Sequence, residues 1–195
     1  MPRLWTETIE SHRREVTDAV LDATASLVAS QGLTGVSMSQ IAVASGIGRA
    51  TLYKYFPNVD EVLSAWHRRQ ITGHLAQLRD LAAGIDDPAV RLRAVLHGYA
   101  RSQSHGHDIA VSAVLHGGPH MVAAADELAA FVTDLIAAGA AAGVVRADVA
   151  PAELASFCLS ALAAAGTAPS KPAVERLVDV VLDGLHGDGR HAASR

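Results

Sequence analysis

The stretch SMSQIAVASGIGRATLYKYF, residues 37 to 56, carries the local signals that decide the fold. It opens on Ser37 and Gln40, a spacing in which the serine hydroxyl caps a helix and the glutamine reaches back. Gly46 then permits the positive φ that a tight turn between two helices requires. Because Arg49 to Tyr55 contains no helix breaker, we predict two short helices joined by a tight turn.

Helical signals on both sides extend this pair into a module. Upstream, residues 13 to 31 are predicted to form a helix that ends at Gly32. Its apolar stripe has helical period: Val16, Val20, Ala23, Leu27 and Val28. Downstream, Pro57 ends the short second helix of the pair, and Asn58 with Glu61 caps a long helix that follows at once.

The rest of the chain also favours helices. Half of the residues are hydrophobic and only 4% are aromatic, and β-branched residues are scattered rather than alternating. Asp87-Pro88, Gly117-Gly118-Pro119, Gly143 and the segment 148 to 151 mark the ends of further helices. We predict an all-α fold with an N-terminal three-helix helix-turn-helix domain at 10–57. A C-terminal helical bundle at 58–187 and a disordered tail at 188–195 complete it.

The charge pattern confines any contact with nucleic acid to one region. A formal net charge of −4 argues against bulk attraction to a polyanion. Residues 36 to 56 nevertheless contain no acid, while Arg49 and Lys54 lie within them and Arg13 and Arg14 lie upstream. We therefore expect a modest basic face on an acidic body.

Several features argue against other classes of protein. The first 14 residues lack the apolar core of a signal peptide, and no apolar run approaches the roughly 20 residues of a membrane span. A cytoplasmic protein without a membrane partner is expected. The lone Cys158 excludes an intrachain disulfide and any multi-cysteine metal site, and it is predicted to pack as a small apolar group.

Four histidines raise the question of a metal site: His105, His107, His116 and His120. Their spacing does not place them on one helix face, and neither cysteine nor a carboxylate pair completes a ligand set. We expect no metal and no cofactor, and leave the role of this group open. No G-x-S-x-G elbow or other nucleophile signature is present, so an enzyme is not expected.

The short pair of helices has two faces. Ile41, Ile47, Leu52 and Phe56 are spaced to pack inward. The other face of the second helix carries a guanidinium that can grip guanine, together with hydroxyl and ammonium donors suited to phosphates. These side chains are Arg49, Thr51, Tyr53, Lys54 and Tyr55. The pattern predicts a DNA-reading helix.

Residues 46 to 57, GIGRATLYKYFP, resemble the G-V-S-x-x-T-L-Y-x-H-F core of the TetR family. The resemblance covers about residues 12 to 66, and the C-terminal part is similar in architecture to SbtR-type ligand domains. Two positions depart from the pattern. Tyr55 replaces the frequent histidine, and Val59 stands where many members carry a lysine, which puts a phosphate anchor there in doubt.

The resemblance implies a homodimer whose two recognition helices enter successive major grooves of operator DNA. The matching DNA-facing positions are Ser37, Ser39, Gly48, Arg49, Ala50, Thr51, Tyr53, Lys54 and Tyr55. Arg49 and Lys54 are the first choices for base contact, and the tyrosines for phosphate. The function expected is that of a repressor released from a palindromic operator by a small-molecule effector.

Two further sets of residues are expected to serve the C-terminal domain. Polar or bulky residues on its helices are the candidates for effector binding: His74, Leu78, Tyr99, Gln103, Leu115, His116, Phe131 and Leu135. Apolar residues of the last two helices are the candidates for the dimer interface: Leu154, Phe157, Cys158, Leu162, Leu177, Val181 and Leu185. Burial of this second set within one subunit is the alternative.

A different class of function stays open at this point. The chain would then be a helical ligand carrier or small enzyme whose N-terminal module contacts other proteins. That alternative predicts no salt-sensitive DNA binding, and no loss of function when Arg49 or Lys54 is neutralised.

Overall fold

The computed structural model describes residues 3–104 and 119–186, with side chains described for residues 9–104 and 121–186. The described residues form eight α-helices and no strand, which confirms the all-α prediction. The helices are α1 Arg3–Gln31, α2 Met38–Ser45, α3 Arg49–Tyr55, α4 Val59–Ala82, α5 Pro88–Ser104, α6 Pro119–Ala141, α7 Pro151–Ala163 and α8 Lys171–Leu185. Short 3₁₀ helices occupy Leu33–Gly35 and Ala164–Thr167. Within the described part, none of the helices is long and apolar enough to cross a membrane.

The chain divides into two compact units, Met1–Gln70 and Ile71–Arg195. Helix α4 contributes residues to both, because it runs from Val59 to Ala82. The predicted domains, 10–57 and 58–187, place the division before α4, and they stay a prediction. The predicted tail, 188–195, lies outside the described residues.

The predicted helix boundaries between Gly46 and Asp87 are confirmed. Gly46 adopts the left-handed conformation at φ 69° and ends α2. Phe56, which precedes proline, is extended at φ −137° and ends α3. The Asn58 Oδ1 accepts from the Glu61 N–H at 2.9 Å and caps α4. Asp87 caps α5 in the same way, accepting from the Ala89 N–H at 2.8 Å.

The cap of α2 differs in part from the predicted capping box. The Ser37 hydroxyl accepts from the Gln40 backbone N–H at 3.4 Å, as predicted. The Gln40 side chain accepts from that hydroxyl at 2.6 Å and donates to Gln31 at 3.2 Å. Gln40 therefore links α2 to the end of α1, because Gln31 offers its amide an acceptor near the same cap.

Helix α1 is ten residues longer than predicted, since it begins at Arg3 rather than Arg13. The prediction followed the apolar stripe that starts at Val16. The segment before it contains no glycine or proline after Pro2, so helical propensity continues the helix toward the N-terminus.

The N-terminal unit has a core of its own around α2 and α3. Ile41 and Leu52 are fully buried and Phe56 nearly so, and they pack with Val20 of α1 and Trp66 of α4 in one apolar cluster. Ile47 packs against this cluster from the turn. The predicted inward face of the helix-turn-helix is thereby confirmed.

The C-terminal unit has a second core, built by α5, α6, α7 and α8. Leu96, Ile136, Leu162 and Val178 represent one helix each, and all four are completely buried. The loop between α6 and α7 is folded against the end of α8, because the Arg146 N–H donates to the Leu185 carbonyl at 2.8 Å.

Two helix glycines are expected to respond oppositely to alanine. A Cβ at Gly139 would lie 2.7 Å from Cγ2 of the buried Val145, whereas a Cβ at Gly73 meets nothing within 4 Å. Overpacking costs about 1–3 kcal/mol and exceeds the gain of about 1 kcal/mol in helix propensity. Gly139→Ala should therefore lower the free energy of unfolding, and Gly73→Ala should raise it by about 0.5–1 kcal/mol.

Urea titration followed by circular dichroism measures both changes on the same chain. A gain in stability for Gly139→Ala would contradict the tight packing between α6 and Val145. An unchanged Gly73→Ala variant would contradict the open surroundings of that glycine in α4.

Candidate nucleic-acid interface

Helix α3 turns one side into the core and leaves the other open. Leu52 is fully buried, while Arg49, Thr51 and Lys54 are exposed and Tyr53 is 53% exposed. Because Leu52 holds the helix by one face, the predicted reading residues of α3 lie together on the surface. The structure thus brings a guanidinium, an ammonium and two hydroxyl groups onto one short helix.

The two helices of the turn are joined through their polar side chains. The Arg49 guanidinium, at the start of α3, donates from Nη2 to the Ser39 Oγ of α2. This hydrogen bond fixes the direction of an otherwise flexible side chain. Ser37 is exposed too, but its hydroxyl is engaged with Gln40 in the cap of α2. Gly48 and Ala50 are exposed beside Arg49 and offer backbone and a methyl group.

Tyr55, the last residue of α3, is only partly exposed and packs at the edge of the N-terminal core. The Arg13 guanidinium of α1 lies over its ring, 5.9 Å from the ring centroid. The sequence places Arg13 upstream of the helix-turn-helix as a cation, outside the predicted DNA-binding residues. Sequence spacing gave no sign of this contact, because it depends on how α1 crosses the end of α3.

Acidic groups of the N-terminal unit lie outside α2 and α3, since residues 38 to 55 contain none. Asp18 and Asp22 of α1 are held by Arg69 of α4, at 3.7 Å and 2.7 Å. Asp60 and Glu61 are exposed in the first turn of α4, where a helix dipole favours carboxylates. The exposed face of α3 therefore keeps its positive charge.

The predicted effector residues are divided by the structure. Leu78 and Leu135 are buried members of the C-terminal core, and Tyr99 and Phe131 are partly buried against it. Burial raises the pKa of the Tyr99 hydroxyl. His74 and Gln103 are also partly buried, and Leu115 and His116 lie outside the described residues.

The burial of these residues distinguishes the candidates for effector binding from one another. Leu78 and Leu135 are buried in the core, and their role in effector binding stays a prediction. The groove described between α5 and α8 is lined by other residues, among them Val90, Arg93, Val144 and His186. Tyr99, Phe131, Gln103 and His74 are the described candidates that keep some exposed surface.

The predicted dimer residues mostly face inward. Five of them are buried within one chain and pack in the C-terminal core: Leu154, Cys158, Leu162, Val181 and Leu185. The stripe predicted on α7 and α8 faces the bundle's own core at these five positions, which is the arrangement that the alternative of burial within one subunit describes, and a dimer contact through them stays a prediction. Phe157 is 49% exposed, and Leu177 is partly buried at the edge of the core.

An apolar surface exists on α7 and α8, displaced from the predicted stripe. Phe157 lies beside Gly184, with its Cε1 3.7 Å from the position a Cβ would take there. Val180, which the sequence prediction omitted, is 67% exposed on α8. Residues 177, 180 and 184 share one side of α8 at helical spacing. We call Phe157, Leu177, Val180 and Gly184 the α7–α8 surface.

The remaining candidates concern metals and thiol chemistry. His105, His107 and His116 lie outside the described residues, and the side chain of His120 does too. Among the described residues there is no group of three or more side chains that could hold a metal ion. Cys158 is fully buried, and burial raises the pKa of its thiol to about 11, which fits the predicted packing role.

Two family models match this chain, one in the N-terminal part and one in the C-terminal part. The model for bacterial regulatory proteins of the tetR family matches residues 20–65, and the model for the C-terminal domain of SbtR-like transcriptional regulators matches residues 88–187. The chain belongs to the TetR family. Residues 20–65 are thus the helix-turn-helix domain of a bacterial regulator family, and the predicted SbtR-like resemblance of the C-terminal part is confirmed.

A curated relative of this TetR-family chain is an uncharacterized HTH-type transcriptional regulator of Mycobacterium tuberculosis H37Rv, Rv1255c. The two are 31% identical over 88 residues, which is 45% of this chain and 44% of the relative. The chain therefore spans less than half the length of that relative in the match.

Solved structures show the same TetR fold over nearly the whole chain. A TetR/AcrR-family regulator from Thermobifida fusca YX-ER1 has a TM-score of 0.73 at 21% identity, over 91% of this chain and 100% of its own. AibR in complex with isovaleryl coenzyme A and operator DNA has a TM-score of 0.61 at 22% identity, over 87% and 97%. At such identities the likeness shows the fold alone.

Proposed function

We propose that this chain is a homodimeric transcriptional repressor that binds a palindromic operator and is released from it by a small-molecule effector. The observation that carries the proposal is the exposed, acid-free face of α3, with Arg49 fixed by Ser39 and Lys54 beside it. A helix of this kind fits the major groove, and a dimer places two of them one to one and a half turns apart, at about 34–50 Å.

Each side chain of the face has a distinct task in this proposal. The Arg49 guanidinium matches the O6 and N7 acceptors of guanine with two parallel donors. Lys54 contacts a base or a phosphate, and Thr51, Tyr53 and Tyr55 donate to phosphates. Ser37, Ser39, Gly48 and Ala50 complete the contact surface at the start of α2 and α3. Base contacts supply specificity here, and phosphate contacts supply register.

The effector is proposed to bind in the C-terminal unit. Tyr99, Gln103 and His74 offer polar groups and Phe131 offers an apolar one, a mixture that small-molecule sites use. The neighbour AibR binds isovaleryl coenzyme A as well as operator DNA, which supports two kinds of occupant for this fold. Binding is proposed to change the position of α4 and to favour a state that no longer fits the operator.

The dimer is proposed to form through the α7–α8 surface. A partly exposed phenylalanine and an exposed valine next to a glycine provide an apolar patch that another helix can approach closely. An isologous contact would pair this surface with itself across a two-fold axis. Such symmetry is what a palindromic operator requires.

Selection of bound sequences from random duplex DNA tests the proposed function. The wild-type chain should enrich a palindrome, and its affinity should fall steeply as salt rises. Arg49→Ala should weaken binding to the enriched palindrome by about 30-fold or more, because about 1–3 kcal/mol is lost in each of two half-sites, and should relax the preference at one base position of each half-site. Arg68→Ala removes the same charge from the exposed surface of α4 and is the matched control.

The outcomes separate the regulator from the alternatives. Enrichment that Arg49→Ala loses and Arg68→Ala retains supports base reading by α3. A folded wild-type chain that enriches nothing, with and without cell extract as a source of effectors, contradicts the proposal. Protein partners would then have to be sought for the helix-turn-helix.

A further inference from the structure

We infer that Arg13 of α1, held over the Tyr55 ring, contacts a phosphate of the operator, so that the DNA interface extends from the helix-turn-helix onto α1. This inference rests on the proposed function and deepens it. It begins from the contact between the Arg13 guanidinium and the last residue of α3, at 5.9 Å from the ring centroid.

Arg13 forms no ion pair with the described side chains. It differs in this from two arginines of the chain that do pair with acids, Arg69 with Asp22 at 2.7 Å and Arg79 with Glu127 at 2.7 Å. Among the described side chains, no carboxylate lies within ion-pair distance of Arg13. Its residue is exposed, and its guanidinium lies over the face of the Tyr55 ring. The five donors of the guanidinium therefore stay available to an anion.

The adjacent Arg14 differs from Arg13, although both are exposed on α1. The Arg14 Nε donates to the Glu10 carbonyl of its own helix at 3.3 Å. Its guanidinium is thus turned back along α1, whereas that of Arg13 is turned toward α3. Arg13 and Arg14 thus carry equal charge but point in different directions. Replacement of Arg14 is therefore the matched control for replacement of Arg13.

An open groove runs along α1 beside this pair, lined by Glu10, Arg13, Arg14, Thr17 and Asp18. The Asp18 carboxylate is countered by Arg69 at 3.7 Å, and the Thr17 hydroxyl donates to the Arg13 carbonyl at 2.9 Å. Glu10 is the acid of the groove whose carboxylate is not so paired among the described residues. Arg13 is the groove residue whose guanidinium lies over the Tyr55 ring.

Operator phosphate is the occupant that the position of Arg13 favours. Tyr55 ends the helix that is proposed to enter the major groove, and the backbone flanks that groove on both sides. A planar guanidinium stacked on a ring presents its donors in a fixed plane, which suits the paired oxygens of a phosphate. Arg13 would thereby fix the register of the reading helix without reading sequence.

The salt dependence of binding counts phosphate contacts and so tests the inference. Each contact contributes about 0.9 to the slope of log affinity against log salt concentration. Because each dimer carries two copies of Arg13, Arg13→Gln should lower the slope by about 1.8, and should weaken binding about 60-fold at 0.1 M salt and about 18-fold at 0.2 M. The loss should be equal on the selected operator and on unrelated duplex, because a phosphate contact carries no sequence information.

Two further variants show whether Arg13 acts through its position. Arg14→Gln should change the slope by less than half as much as Arg13→Gln. In a Tyr55→Leu background, Arg13→Gln should weaken DNA binding clearly less than in the wild type. In a Tyr55→Phe background, Arg13→Gln should weaken binding as much as in the wild type, because phenylalanine keeps the ring. Fluorescence anisotropy on labelled duplexes, with circular dichroism to verify folding, provides all these comparisons.

Failure of the inference is distinct from failure of the proposed function. The Arg13 contact is contradicted if Arg13→Gln leaves the salt slope of wild-type binding unchanged, or if Arg14→Gln lowers that slope equally. The proposed regulator function is not contradicted by either result. A wild-type chain that binds no duplex overturns both. A loss for Arg13→Gln on the operator alone contradicts a phosphate contact and indicates base reading by α1 instead.

Discussion

Phe157→Glu is expected to convert the protein from a dimer to a monomer of 20.2 kDa and to weaken operator binding by about 100-fold or more. Phe157 is 49% exposed on α7 and belongs to the α7–α8 surface. A carboxylate there would face its symmetry copy across an isologous interface and would be desolvated without a partner. Monomers lose the second half-site contact, so affinity for the full palindrome falls most.

Sedimentation velocity gives the oligomeric state, and anisotropy with one or two half-sites gives the affinity. Val90→Glu is the matched control, because Val90 is 52% exposed on α5 and lies outside the α7–α8 surface. It should stay dimeric and bind normally. Dissociation caused by Val90→Glu but not by Phe157→Glu would place the interface on another face of the bundle.

The helix-turn-helix was predictable from sequence because its signals are local. A capping serine, a turn glycine at φ 69° and a proline after Phe56 each act within a few residues. The burial of Ile41 and Leu52 followed from helical period alone. Local chemistry and tertiary packing agree in this segment, and such agreement makes a prediction dependable.

The contacts that sequence missed are those between separate elements. Arg13 approaches Tyr55 from 42 positions earlier in the chain, and no motif encodes that approach. Gln40 bonds to Gln31 across the 3₁₀ turn rather than only within its own cap. The start of α1 at Arg3 was missed for another reason, since the apolar stripe that predicts this helix begins only at Val16.

The predictions for the C-terminal unit show where the helical spacing of apolar residues allows two interpretations. Leu162 belongs to an apolar stripe on α7 and Val181 to one on α8, and the sequence does not tell whether such a stripe faces the chain's own core or a second copy. The structure places both in the core, and it leaves Val180, one residue away from Val181, on the surface. A shift of one position turns a helical side chain by about 100°, which is enough to exchange core and interface.

Leu52→Ala is expected to destabilise the N-terminal unit by about 2–5 kcal/mol and thereby to abolish DNA binding. Leu52 is fully buried and holds α3 against a cluster that includes Ile41, Phe56 and Trp66. Truncation removes apolar contacts and leaves a cavity between short helices that have few other contacts with which to close it. A loss of this size is a large part of the stability of a small unit.

The fluorescence of Trp66 reports this unfolding directly, because Trp66 belongs to the same cluster as Leu52. Replacing Trp5, the other of the two tryptophans, by phenylalanine isolates its signal. Lys54→Ala in the same helix is the control, since its exposed side chain should affect DNA affinity and leave the denaturation midpoint unchanged. If Leu52→Ala kept the wild-type midpoint, α3 would have to be held by something other than this core. If Lys54→Ala lowered that midpoint, the division of α3 into a packing face and a reading face would be wrong.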